Sequence, residues 1–147
     1  MTSICILAVD DFEPWRSFVS STLKRQLPLA SVFEVSDGLD AVQTAQELQP
    51  DLILLDIGLP RLNGIEAAHQ IRSVAPDAKI LFLSENFDPN IAEAALRTGA
   101  TGYVVKSDAG RELMTAIEAV IAGKQFVSEK LRGIAHDFEF ERWHAAD

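Results

Sequence analysis

A chain of 147 residues, 48% of them hydrophobic and spread along its whole length, has the composition of one folded domain with a substantial core. Its formal net charge of −9, without a run of Lys or Arg, argues against direct electrostatic binding to nucleic acid or to an anionic membrane. No stretch reaches the roughly 20 apolar residues of a membrane span, and the N-terminus lacks a signal peptide's basic flank and apolar block, so a cytoplasmic location is expected.

Ser3 to Val9 is a short apolar run ending on Asp10-Asp11 and reads as a first strand. Cys5, the one cysteine, lies between Ile4 and Ile6 in it, which excludes an internal disulfide and predicts a buried thiol. Glu13-Pro14 opens a helix, because proline is tolerated in a first turn. Trp15, Phe18, Val19, Thr22, Leu23 and Leu27 then recur at helical spacing, and Pro28 closes the helix. Ser31 to Val35 is a second strand. Asp37-Gly38 turns into a helix with Leu39, Val42, Ala45 and Leu48 facing inward. The run from Asp51 to Asp56, preceded by Pro50 and broken at Gly58 and Pro60, reads as a strand buried on both faces. Asn63 caps the next helix, with Glu66 placed three residues on for a capping-box-like arrangement, and Ile65, Ala68, Ile71 and Arg72 follow. Lys79 to Leu83 is a fourth strand that finishes at Ser84-Glu85-Asn86. Asp88-Pro89 starts an alanine-rich helix ending near Gly99, whose few large anchors mark it as an expected mobile element. Thr101 to Val105 is a fifth strand, ending at Lys106. Ser107 or Asp108 caps a last helix with Leu113, Met114, Ile117, Val120 and Ile121 inward, and Gly123 ends it. Five strands alternating with helices define an α/β fold, a doubly wound, five-stranded parallel sheet of (βα)5 type.

The chemistry-bearing residues cluster by position. At the carboxyl ends of the strands stand Asp10 and Asp11, then Asp56, Ser84 and Lys106. Right-handed crossovers bring all these ends to one edge of the sheet. Three carboxylates gathered there repel one another, and a hard divalent cation with open water positions, Mg²⁺, is the natural neutraliser. Asp56 can then act as a nucleophile toward phosphorus and form an acyl phosphate, with Lys106 neutralising phosphoryl oxygens and Ser84 donating to another. Any one of these residues alone reads as well as a turn cap or a solvated charge; the joint pattern at matching strand ends carries the functional reading. His69, His136 and His144 have no metal-cluster spacing. Tyr103 fits a half-buried strand aromatic, with a second role open to it three residues before Lys106.

These motifs resemble a receiver domain of the two-component response regulators, over residues 3 to about 123. The resemblance rests on Asp10-Asp11, on Asp56-Ile57-Gly58-Leu59-Pro60 with Asn63-Gly64, on Ser84, and on Gly102-Tyr103-Val104-Val105-Lys106. The wording from Gly99 to Ser107 is most similar to the subfamily that usually carries a LuxR-type helix-turn-helix. The resemblance implies a flavodoxin-like fold and a phosphorylation-dependent switch rather than an enzyme with an external substrate. It implies that Asp56 is the phosphoacceptor, charged by a sensor histidine kinase or a phosphotransfer protein. It also implies that Asp10, Asp11, Asp56 and the Gly58 carbonyl gather Mg²⁺, that Ser84 and Lys106 bind the phosphoryl group, and that Ser84 and Tyr103 move together on activation.

Three features depart from that pattern. Glu85 stands where the family usually has a small residue, and a carboxylate there is expected to slow entry of the phosphodonor or of hydrolytic water, unless it points to solvent. Ser107 replaces a common proline with a cis bond; before serine, cis costs roughly 2.5–4 kcal/mol, so a trans bond or a strained cis one is expected. Residues 124–147 form an extension and not a separate domain, too short from Glu129 to Asp147 for a helix-turn-helix. Its Leu131, Ile134, Phe138, Phe140 and Trp143 suit an arm folded back on the domain, or else a homodimer contact or a partner-docking segment. Two rivals remain at this stage, a phosphorylation-independent interaction domain and a phosphatase of the haloacid dehalogenase type. The second would want another Asp two residues after the nucleophile, where this chain has Gly58.

Overall fold

The computed structural model describes residues 3–135, with side chains through residue 132. Strands β1 (Cys5–Val9), β2 (Ser31–Val35), β3 (Leu52–Leu55), β4 (Lys79–Ser84), β5 (Gly102–Val105) and β6 (Phe126–Val127) form one sheet in the order β2-β1-β3-β4-β5-β6. Every neighbouring pair is parallel. Helices α1 (Glu13–Gln26), α2 (Gly38–Leu48), α3 (Gly64–Val74), α4 (Pro89–Leu96) and α5 (Ala109–Ile121) connect successive strands, and α6 (Glu129–Ala135) follows β6. The doubly wound parallel sheet is as expected. A sixth strand extends it.

Alternation along the strands builds two cores, one on each face. Leu7, Ile53, Ile80, Phe82 and Tyr103 belong to a cluster with residues of α2, α3 and α4. Ile6, Leu52, Leu54, Leu81 and Val104 belong to a second cluster with residues of α1 and α5. Period two in each strand sends successive side chains to opposite layers, which is why β1 and β3 are apolar throughout.

The helix starts follow the local chemistry. Pro14 lies in the first turn of α1. The Asp37 carboxylate accepts from the Asp40 N–H at 2.8 Å to start α2, and Asn63 Oδ1 accepts from the Glu66 N–H at 3.0 Å to start α3. Asp88 does the same for α4 through the Asn90 N–H, at 2.8 Å. Asp108 occupies the residue before α5 but makes no capping bond; its carboxylate pairs with Arg111 at 3.0 Å instead.

Some residues expected in the core are not there. Phe18, Leu39 and Ile121 are exposed. Leu39 lies in the first turn of α2 and Ile121 is the last residue of α5, so neither has a full turn of helix beyond it to cover it. Phe18 packs its ring on Trp15 at the surface, with centroids 5.3 Å apart. Cys5 is half-buried rather than buried.

After Gly123, which turns the chain at φ 84°, β6 pairs with β5 in the register Gly102↔Phe126 and Tyr103↔Val127. Leu131 of α6 is fully buried in the same cluster as Tyr103. A polar set locks this segment down: Ser128 Oγ donates to Glu112 Oε1 at 2.6 Å and accepts from the Val105 N–H at 2.8 Å. The Glu129 N–H donates to the other Glu112 oxygen at 3.1 Å. Residues 126 to 132 thus pack on the edge of the sheet and on α5. The Ile134 side chain, Phe138, Phe140, Trp143, His136 and His144 lie outside the described residues.

Candidate functional site

The order of the sheet reverses at β1, which lies between β2 and β3; in such sheets the crevice at the carboxyl ends of the strands beside that reversal is the natural ligand site. Asp10 directly follows β1 and Asp56 directly follows β3, and the Asp56 N–H donates to the Val9 carbonyl at 3.1 Å, which ties the two ends together. Asp56 sits on a backbone that cannot move far. Gly64, the first residue of α3, lies against the Asp56 carbonyl so closely that a Cβ there would overlap it. Gly38 meets the Leu62 carbonyl in the same way, so two helix starts clamp the loop that follows Asp56.

A cavity of about 480 Å³ opens at this edge, and Asp10, Asp11, Asp56, Gly58, Ser84 and Lys106 all line it, with Glu85 among its further walls. The structure thus brings together every sequence-predicted site residue except Tyr103, which reaches the site indirectly. Oxygens of Asp10, Asp11 and Asp56 lie within 4.8 Å of one another. An all-oxygen donor set that close fits a hard divalent cation. Lys106 Nζ lies 2.6 Å from Asp10 Oδ2 and 3.5 Å from Asp56 Oδ2, with only 10% of its side chain exposed. Among the described residues, four carboxylates and this one ammonium line the cavity.

The electrostatics follow from that crowding. Burial raises the Asp56 carboxyl above the ordinary range; the Lys106 ammonium pulls it down and the Asp10 charge pushes it up again. The Ile57 N–H, donating to Asp56 Oδ1 at 2.8 Å, also favours the ionised form. Asp10 is held from two sides. Its Oδ1 accepts from the Phe12 N–H at 2.9 Å, and its backbone carbonyl accepts from Arg16 Nη1 at 2.7 Å.

Ser84 and Tyr103 are joined through a residue that pattern reading passed over. The Asn86 N–H donates to Ser84 Oγ at 3.0 Å, and the Asn86 carbonyl accepts from the Tyr103 hydroxyl at 2.7 Å. Tyr103 is fully buried, not half-buried, and burial pushes its phenol up to about 12, so it stays a neutral donor. Glu85 is exposed and stands at the cavity wall. The described residues contain no cis peptide bond; Lys106 to Asp108 form one turn of 3₁₀ helix.

Arg16 was also missed. It bridges the Asp10 carbonyl to Glu34, with Nε 3.0 Å from Glu34 Oε1, and Ser20 Oγ donates to the same carboxylate at 2.8 Å. A signal existed: a cation in the first turn of a helix opposes the helix dipole, which points to a partner elsewhere.

Known proteins share this arrangement. The model of the response regulator receiver domain matches residues 6–118. The chain is 33% identical to the transcriptional regulatory protein DegU of Brevibacillus brevis over 128 residues, 87% of this chain and 54% of that protein. It is 33% identical to LiaR of Bacillus subtilis over 88% of this chain and 62% of that protein, and so spans little more than half the length of these relatives. A LuxR-family two-component response regulator from Aurantimonas superposes with a TM-score of 0.85 at 33% identity, covering 96% of this chain and 99% of that one. The receiver domain of a NarL regulator from Mycobacterium tuberculosis does so with a TM-score of 0.78 at 26% identity, over 84% of this chain and all of that one. With the family model spanning most of the chain and the fold matching that of solved receivers, the chain belongs to the response regulator receiver domains of two-component systems.

Proposed function

We propose that Asp56 is the phosphoacceptor of a cytoplasmic switch, charged by a histidine kinase or a phosphotransfer protein. The observation that carries this reading is the position of the Lys106 ammonium between Asp10 and Asp56, at the mouth of a cavity that also takes in Asp11, Ser84 and Gly58. Receiver domains bind Mg²⁺ at an acidic pocket, and the oxygen donors of Asp10, Asp11 and Asp56 fit it, with the Gly58 carbonyl as a further ligand. When bound, the cation offsets the crowded carboxylates and the charge on the transferred phosphoryl group.

An ionised Asp56 oxygen attacks phosphorus in line; the bond from phosphorus to the donor nitrogen breaks, and the leaving imidazole keeps its electron pair and takes a proton from solvent. Lys106 supplies the positive charge for the phosphoryl oxygens of the product. Ser84 Oγ accepts from the Asn86 N–H and interacts with the Tyr103 hydroxyl, and it can turn its own proton from there toward one of those oxygens. That turn alters the contact at Asn86, whose carbonyl holds the Tyr103 hydroxyl, and so couples the phosphoryl group to a buried aromatic of β5. Glu85 modulates the rates of charging and of self-dephosphorylation, as a carboxylate worth about 1 kcal/mol per unit of phosphoryl charge at 4 Å in water and about 4 at an intermediate dielectric.

Incubation with a small phosphodonor and Mg²⁺, followed by intact mass, tests the proposal. One phosphoryl adduct on the wild type and none on Asp56→Asn is expected, with Glu85→Ala gaining and losing it faster. Continuous release of phosphate from a phosphate monoester would instead indicate a phosphatase, which Gly58 two residues after Asp56 disfavours. No adduct with any donor would leave an interaction domain that has lost the switch.

A further inference from the structure

A large side chain stands at the edge of the site. Trp15, in the first turn of α1, stands with its ring centroid 5.3 Å from Lys106 Nζ. That is inside the roughly 6 Å within which an ammonium is drawn to the face of an indole. Trp15 also forms a wall of a second hollow, about 500 Å³, with Phe12, Pro14, Phe18 and Glu85; Lys106 lines both this hollow and the acidic cavity. The Phe18 ring, tilted 41° at 5.3 Å between centroids, braces the indole one turn along the helix.

Lys106 needs such a wall. β5 ends at Val105, and Lys106 opens a 3₁₀ turn, so the strand ladder does not fix its backbone. Its stem is flexible, and two open hollows lie within its reach. Asp10 and Asp56 draw the ammonium one way, but an incoming cation competes for both carboxylates. The π face is a partner that such a cation leaves in place.

We propose that Trp15 is a positioning residue for phosphoryl transfer: its indole face holds the Lys106 ammonium over the acidic cavity, where a phosphoryl oxygen on Asp56 needs a counter-charge. This rests on the reading of Asp56 as phosphoacceptor. Trp15 also packs against the α1–α5 core, so truncation to Ala risks the fold, and Phe and Leu are the informative replacements. Phe keeps a π face of lesser strength; Leu keeps only apolar bulk.

The full chain and its Trp15→Phe and Trp15→Leu variants, each shown folded by thermal unfolding, are charged with phosphoramidate and Mg²⁺ and followed by intact mass. Trp15→Leu is expected to slow adduct formation about five- to thirty-fold, with Trp15→Phe close to wild type. In a Lys106→Ala background the Leu replacement should slow it no further. Without phosphodonor or metal, NMR should find the Lys106 ε-CH2 protons moved upfield by the indole ring current in the wild type and back at ordinary lysine positions in Trp15→Leu. A wild-type rate for Trp15→Leu, an equal slowing in the Lys106→Ala background, or an ordinary lysine shift in the wild type overturns the assignment of Trp15 while the phosphoacceptor reading stands. A wild type that gains no phosphoryl group overturns both.

Discussion

Asp56 carries two opposed requirements: it must be ionised to attack, yet its surroundings favour the neutral form. Burial does most to raise its pKa, and Lys106 offsets only part of that. Because the folded value lies above the unfolded one, the folded chain binds this proton more tightly than the unfolded chain. The stability so contributed is present below the ordinary carboxylate value and is lost as the pH rises through the raised value. In metal-free buffer, the Tm of Asp56→Asn should therefore exceed that of the wild type at neutral pH by a few degrees, with the difference shrinking as the pH falls through that window. Thermal unfolding from pH 3 to 8 measures it; a constant difference would mean that charge at Asp56 is not the cause. The identity of this residue was legible in the sequence, since an apolar run that ends on a carboxylate is hard to place anywhere but a strand end. The partners of Lys106 were not. A long, flexible side chain takes its contacts from whatever surrounds it, and here those are Asp10 and Trp15 from the β1–α1 stretch and Asp56 from the end of β3.

Among the elements, the caps and the five longer strands follow local rules and could be read locally. Asp37, Asn63 and Asp88 each accept from a helix N–H at the expected place. The segment after α5 is different, because two residues of strand carry no periodicity. What holds β6 and α6 is a buried carboxylate, Glu112, accepting from Ser128 and from the Glu129 N–H. Ser128→Ala leaves the Val105 N–H and one Glu112 oxygen without their partners. It should cost about 1–3 kcal/mol, read as a lower midpoint in urea at unchanged slope. A cost near zero would show that water takes over these bonds. Lys130 adds a lighter tie, with Nζ 3.1 Å from Ser107 Oγ and 5.8 Å from the centre of the Phe87 ring. α4, by contrast, buries only Ala92, Ala95 and Leu96 along its length. Its thin anchoring matches the expectation from its alanine content, and it lies directly after the loop that links Ser84 to Tyr103.

Taken as a molecule, the chain places its charge unevenly: among the described residues, four carboxylates and one ammonium line a single cavity at one edge of a sheet whose central strand β3 is wholly apolar. A ligand that relieves this repulsion binds the folded chain and not the unfolded one, and so must stabilise it. Mg²⁺ is accordingly expected to raise the Tm in step with the logarithm of its concentration above saturation, with a smaller rise in Asp10→Asn. An equal rise in both would place the cation elsewhere. The sequence by itself determined the fold class and the edge at which the chemistry gathers. Hydrophobic period and strand-end residues are local properties, and the handedness of parallel crossovers turns them into a shared edge. Tertiary structure alone decided which atoms meet there: the ammonium between Asp10 and Asp56 and against Trp15, Asn86 between Ser84 and Tyr103, and Glu112 beneath the sixth strand. Those contacts join segments far apart in the chain, and their geometry follows from strand register and packing, which no short window of sequence encodes.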